Sequence, residues 1–221
     1  MKLESLLVPR SIAVIGASAT PGKVGNAIVA NLLASGFAGP VYPVNPSRDE
    51  ILGLKVYQDV RDCPSPVDLA VVTVPLALVN GAVAACIEKR VGAIVTITAG
   101  YKEAGAEGAA QERELARMVR EHSIPMLGPN CVGILNTHHK MNASFATMIP
   151  YAGDIAVVSQ SGALVGAILD VAAGRRLGLS KLLSMGNKAD LTETELIEAL
   201  GEDDETRVIA AYVEDIIAGD R

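Results

Sequence analysis

The chain has 221 residues, half of them hydrophobic, which is enough apolar material for one large or two small domains and excludes a disordered polymer. It carries 19 basic against 25 acidic residues for a net charge of -6, with no cluster of Lys and Arg, so nucleic acid is not an expected partner. Three cysteines, Cys63, Cys86 and Cys131, lack metal-ligand spacing and suit a reducing compartment, and Glu4 precedes any apolar run long enough for a signal peptide. A cytoplasmic protein without a bound metal is the expectation.

Strand-like runs alternate with helix-length segments: Ser11 to Ile15, Val41 to Val44, Leu69 to Val74, Ala93 to Thr98, and Met126 to Leu127. Such Val, Ile and Ala runs, without polar alternation, mark strands buried on both faces of a parallel sheet. The uncharged stretch Leu69 to Ile87 meets the length rule for a membrane span, but Pro75, Asn80 and Gly81 interrupt it. Strand, turn and buried helix explain it better, and no membrane association is expected.

Between Gly128 and Gly153 the rhythm breaks, and then strand Ile155 to Val158, helix Ala163 to Ala173, strand Lys181 to Met185, helix Glu193 to Leu200 and strand Arg207 to Val213 follow. The expected organisation is a Rossmann-type α/β domain over 1–135, a junction over 136–152, and a partial flavodoxin-like α/β domain over 153–221. Doubly wound domains close with about five strands, so a chain reaching Gly219, Asp220 and Arg221 after three is expected to be a fragment.

The first strand runs into Gly16, Ala17, Ser18, Ala19, Thr20, Pro21, Gly22, Lys23, Val24 and Gly25, then a helix near Asn26. This is a phosphate-cradling turn: Gly16 permits the tight turn, Gly25 permits close helix approach, and free helical N–H groups face the anion. A nicotinamide dinucleotide site prefers G-x-G-x-x-G and an acid after the second strand, and neither is present. The second strand ends Val44, Asn45, Pro46, Ser47, Arg48, where Arg48 can pair with a ribose phosphate such as that of coenzyme A or NADP.

Taken together, GASATPGKVG, YPVNP, VDLAVVTVP, IVTITAGYKE, GPNCVGILNT, VVSQSGAL, SMGNKAD and TRVIAAYVED resemble, in order, the α portion of ADP-forming acetate-CoA and related acyl-CoA ligases. Succinyl-CoA synthetase is a more distant relative. The resemblance implies interconversion of acyl-CoA, phosphate and nucleoside diphosphate with carboxylate, CoA and nucleoside triphosphate, through an acyl phosphate and a phosphohistidine. It also implies an ATP-grasp partner, as a β subunit or fused domain, that holds Mg-ADP or Mg-ATP, together with a small carboxylic acid substrate and a homo- or hetero-oligomeric assembly.

Carried over by position, the resemblance implies that CoA meets Gly16, Ser18, Ala19, Thr20, Pro21, Lys23, Gly25 and Arg48 with its phosphates and ribose. It would meet Val74 and Pro75 with its adenine and pantetheine side, and Ile97, Thr98 and Ala99 with its arm. Asn130 and Cys131 would lie near the thioester, Cys131 as a lining residue and not a nucleophile. Ser161 and Gly162 would open a helix facing the phosphoryl group, and Glu214 would orient the phosphorylated histidine. Gly166 stands where the succinyl-CoA relatives carry a tyrosine, which favours a monocarboxylate, and Asp215 replaces the glycine usual after the family glutamate.

None of the three histidines sits in a glycine-rich loop of the second domain, where the family carries its phosphohistidine. His122 closes a helix, while His138 and His139 are expected as exposed junction residues. Two other readings stay open: a CoA-ligand-binding regulatory region fused to a lysine acetyltransferase, and an NADP-linked oxidoreductase.

Overall fold

The computed structural model describes residues 3–64 and 66–216. Gly219, Asp220 and Arg221, on which the expectation of an early stop rests, lie outside the described residues. After a short helix α1 (Glu4–Leu7), the first half alternates β1 (Ile12–Ile15), α2 (Val24–Ala34), β2 (Val41–Val44), a small hairpin of β3 (Glu50–Ile51) and β4 (Leu54–Lys55), then β5 (Leu69–Val72), α3 (Leu76–Lys89), β6 (Ala93–Thr96), α4 (Ala106–Glu121) and β7 (Met126–Leu127). The large sheet has the order β2-β1-β5-β6-β7 and is parallel throughout, with Ile12 opposite both Val41 and Leu69. Every residue of β1, β5 and β6 is buried, which is why these strands read as unbroken apolar runs.

The uncharged stretch from Leu69 divides into β5 and α3, and no described helix is long and apolar enough to cross a membrane.

The second half contains β8 (Gly133–Asn136), β9 (Met141–Ser144), β10 (Tyr151–Ser159), α5 (Gly162–Arg175), β11 (Gly178–Ser184), α6 (Glu193–Gly201) and β12 (Val208–Tyr212). Its sheet has the order β12-β10-β11-β8-β9, with the first three strands parallel and β8 and β9 antiparallel. The described part of this sheet therefore has five strands where three were expected. The two additional strands fall across the end of the expected first domain and inside the expected junction.

Polar residues hid that hairpin. Asn136 and Asn142 are buried strand residues, although asparagine has a poor strand preference. Asn136 satisfies its amide in the first half of the chain, its Nδ2 donating to the Leu7 carbonyl at 2.9 Å. His139 is half-buried, contrary to expectation. Its Nε2 donates to the Pro9 carbonyl at 2.7 Å, and its ring meets Phe37 edge-on at 5.5 Å. These contacts accompany one continuous apolar core in which Ile12, Val14 and Leu127 share a cluster with Ile134, Val158 and Leu183, so the two sheets share one core, with α2 packed against both.

Candidate functional site

A cleft of about 1220 Å³ opens where the carboxyl ends of the parallel strands meet the second sheet. That is where an open α/β sheet leaves a crevice, because successive helices there cross to opposite faces. The first sheet contributes Gly16, Ala17 and Ser18 after β1, Asn45 to Ser47 after β2, Thr73 to Pro75 after β5, and Ile97 to Ala99 after β6.

The turn after β1 is built for close approach. Gly16 has φ +91°, and a Cβ there would come within 2.8 Å of Thr73 Oγ1. A Cβ on Gly25 would run into the Gly16 carbonyl oxygen, so only glycine lets α2 start this close to β1. Side chains then fix the loop: Asn26 Nδ2 donates to the Ser18 carbonyl at 2.8 Å, and Asn45 Nδ2 donates to the Ala17 carbonyl at 2.8 Å. Lys23, Val24 and Gly25, at the start of α2, line the cleft, and the N–H groups of a helix's first turn suit an anion.

The second half supplies the opposite wall through Asn130, Cys131 and Val132, then Phe145, Gln160, Gly162, Gly186, Asn187 and Glu214. Ser161 is the N-cap of α5, its Oγ accepting from the Leu164 N–H at 3.3 Å, and Gly162 is the first helical residue. Two helix N-termini, those of α2 and α5, thus open on one cleft. The space over Gly166 is open, with nothing within 4 Å of a Cβ placed there.

Of the residues expected at the site, Gly16, Ser18, Lys23, Gly25, Val74 and Pro75 line the cleft, as do Ile97, Thr98, Ala99, Asn130, Cys131, Gly162 and Glu214. Ala19, Thr20, Pro21, Arg48 and Ser161 do not. Arg48 is exposed and stands beyond the Asn45 to Ser47 corner. Lys23 is therefore the basic side chain that the geometry puts beside the turn.

Cys131 is buried in the cleft wall. Burial pushes its thiol up to about 12, and the S–H donates to the Thr96 carbonyl at 3.3 Å, an arrangement suited to a wall and not to a nucleophile. The histidines stand apart from the cleft: His122 bonds the Met118 carbonyl at 2.9 Å, and His138 bonds the Gly153 carbonyl at 2.8 Å. No cluster of potential metal ligands occurs among the described residues.

Sequence reading missed a polar seam between the halves. Asn187 Nδ2 donates to Glu103 at 2.6 Å and to Glu112 at 2.7 Å, its Oδ1 accepts from Asn130 at 3.1 Å, and its carbonyl accepts from Lys102 Nζ at 2.7 Å. Burial opposes ionisation of Glu103, but the Asn187 amide and the N–H groups of Gly100 and Tyr101 outweigh it and hold the carboxyl below its ordinary range. These partners are more than fifty residues apart, and no local spacing announces them.

Lys188 lies beneath the same wall with a fully buried side chain, 2.9 Å from Glu193 and 2.9 Å from Asp215. Burial lowers its pKa, but hydrogen bonds to Asp215 and Glu193 reverse that, and the ammonium is held above its ordinary value. Gln160 donates to Asp215 at 2.6 Å and accepts from the Glu214 N–H at 2.9 Å. Asp215, odd in the sequence, thus anchors the segment that presents Glu214.

A doubly wound sheet with a phosphate-type turn, sharing its cleft with a second helix N-terminus from a flavodoxin-like sheet, defines a nucleotide-cofactor-binding α/β protein. The chain belongs to the CoA binding domain family, which it matches over residues 10–137, and its residues 152–221 match the succinyl-CoA ligase like flavodoxin domain. It is 46% identical over 217 residues to acetate–CoA ligase [ADP-forming] I of Archaeoglobus fulgidus, covering 98% of this chain and 31% of that protein. With the α subunit of acetate–CoA ligase [ADP-forming] II of Pyrococcus furiosus it shares 42% identity, covering 99% of this chain and 48% of that one. Among solved structures, acetyl-coenzyme A synthetase 1 of Ca. Korarchaeum cryptofilum, in complex with phosphate and ADP, superposes with a TM-score of 0.95 at 42% identity over 99% of this chain and 47% of that one. The chain thus spans about a third to a half of the relatives it matches.

Proposed function

We infer that this chain is the CoA-binding part of a nucleoside-diphosphate-forming acyl-CoA synthetase. The observation that carries this reading is the single cleft onto which two helix N-termini open, one for the diphosphate of a nucleotide-like coenzyme and one for a separate phosphoryl group. In the parent enzyme, acyl-CoA, phosphate and ADP are interconverted with carboxylate, CoA and ATP. The nucleotide, with its magnesium, belongs to an ATP-grasp subunit or fused domain.

Within this chain, Ser18 and Lys23 hold the coenzyme's phosphates, and Val74 and Pro75 flank its adenine side. Ile97 to Ala99 guide the arm towards Asn130 and Cys131. An anion at the start of α5 meets N–H groups that need no reorganisation when charge arrives, which is how positioning and electrostatics serve phosphoryl transfer. Gly162 keeps that approach open, and Glu214 orients the histidine supplied by another part of the protein. Residues 1–135 thus serve the coenzyme and 153–221 the phosphoryl group, with the hairpin between β8 and β9 bridging them. Three buried, unpaired cysteines suit a cytoplasmic setting.

The direct trial is ATP formation by the parent protein, with its nucleotide-binding portion, from ADP, phosphate and a series of short acyl-CoAs. ATP is expected with at least one monocarboxylic thioester. Absence of ATP with all of them would overturn the assignment.

A further inference from the structure

Phe145 is one of only two phenylalanines in the chain, and it is 37% exposed where it lines the cleft. An aromatic ring left in water sacrifices hydrophobic free energy that a packed position would recover. Its backbone is nevertheless held firmly. The Phe145 N–H donates to the Val132 carbonyl at 3.3 Å, and on either side Asn31 Nδ2 donates to the carbonyls of Ser144 at 2.8 Å and Ala146 at 2.9 Å. Ser144 Oγ accepts from the Ala146 N–H at 3.2 Å and closes the corner. A loop pinned at both flanks presents this ring by construction.

Its neighbours say which part of the cleft the residue occupies. Val132 is bonded to Phe145 through the backbone, and a methyl of Val132 stands 3.2 Å from where a Cβ on Gly162 would be. Val132 therefore links the backbone of Phe145 to the first residue of α5. Next to an N-terminus suited to an anion, two apolar residues, Val132 and Phe145, line the same cleft. The matching ligand has a carboxyl-derived head and a short hydrocarbon tail.

We propose that Phe145, beside Val132, is the residue that sets acyl-group size, packing against the hydrocarbon of a short aliphatic acid whose carboxyl end faces the phosphoryl group held at the adjacent helix end. This rests on the reading of the cleft as an acyl-CoA site. Asn31 acts as a positioning residue, since it lies in α2, whose other end bears the coenzyme turn, and fixes the corner that carries the ring.

The test is calorimetric titration of this chain with free CoA, acetyl-CoA and phenylacetyl-CoA, for the wild type, Phe145→Ala and Phe145→Trp. Phe145→Ala should raise affinity for phenylacetyl-CoA relative to acetyl-CoA by about tenfold, the usual scale of discrimination by an apolar pocket, and leave free CoA within about twofold. Phe145→Trp should move the ratio the other way. An unchanged ratio with CoA binding intact would overturn the size-setting role alone. Equal weakening of free CoA and both thioesters would show that the ring holds the coenzyme's arm, which also overturns it. A wild-type chain that binds none of the three would instead remove the acyl-CoA reading itself.

Discussion

Asn187 reaches across the floor of the cleft to Glu103, its amide 2.6 Å from the carboxylate, and so joins the loop after β6 to the loop after β11. The same amide nitrogen holds Glu112 at 2.7 Å, which makes one side chain the tie between two acids on the first half of the chain. Glu112 and Asn187 are both buried, so the tie cannot be replaced cheaply by water.

Replacing Asn187 by Ala should therefore destabilise the chain by about 2 kcal/mol, the scale of a lost hydrogen bond to a buried charged group. Urea unfolding at neutral pH measures it. Because the Glu103 carboxyl is held below its ordinary value in the fold, the stability it contributes is present above about pH 4.3 and is lost as pH falls through the folded value. The deficit of Glu103→Gln relative to the wild type should shrink accordingly below about pH 4.

Lys188→Met should cost about 3 kcal/mol, because it takes the buried ammonium away from the Glu193 carboxylate and releases the Asp215 anchor. Adding Glu193→Gln to that variant should restore part of the loss, as removal of the second charge does in buried pairs. The raised pKa of Lys188 makes its contribution complete below about pH 10.4 and lost as pH rises through the folded value. Equal stability of Lys188→Met and the double variant would show that the loss does not come from an uncompensated Glu193 charge.

Lys23→Ala should weaken CoA binding by about tenfold, the effect of one charge-assisted contact, and Arg48→Ala by no more than about threefold. Position decides between them, since Lys23 lines the cleft and Arg48 stands exposed outside it. Calorimetry at two salt concentrations checks the order. A larger loss for Arg48→Ala would move the phosphate contact to the outer corner.

The three cysteines should be silent towards a thiol reagent at about pH 8 in the native chain and all react once it is unfolded. Burial pushes the thiols up to about 11 at Cys63 and about 12 at Cys86 and Cys131, and each is buried. Rapid native labelling traced by mass spectrometry to Cys131 would contradict its role as a wall residue.

The parallel sheet was legible because strands buried on both faces carry a local signature, and so was the turn from Gly16 to Gly25, whose glycines answer a local demand of backbone and packing. The start of α5 was legible too, since Ser161 followed by Gly162 is an N-cap pattern. The hairpin at 133–144 was not, because buried Asn136 and Asn142 replace the apolar alternation by which strands are recognised. The seam of Lys102, Glu103 and Asn187 was hidden for another reason: its partners are brought together only when two sheets pack. Arg48 shows the limit of position alone, since a charge expected from its place after β2 stands exposed outside the residues that line the cleft.

The most direct measurement is a calorimetric titration of the chain with coenzyme A, with NADP as the competing ligand. Saturable one-to-one binding of CoA that NADP does not displace, lost in Gly25→Ala because the added Cβ runs into the Gly16 carbonyl, is the predicted result. NADP binding more tightly than CoA, or CoA binding unaffected by Gly25→Ala in a folded variant, would contradict the assignment of this cleft.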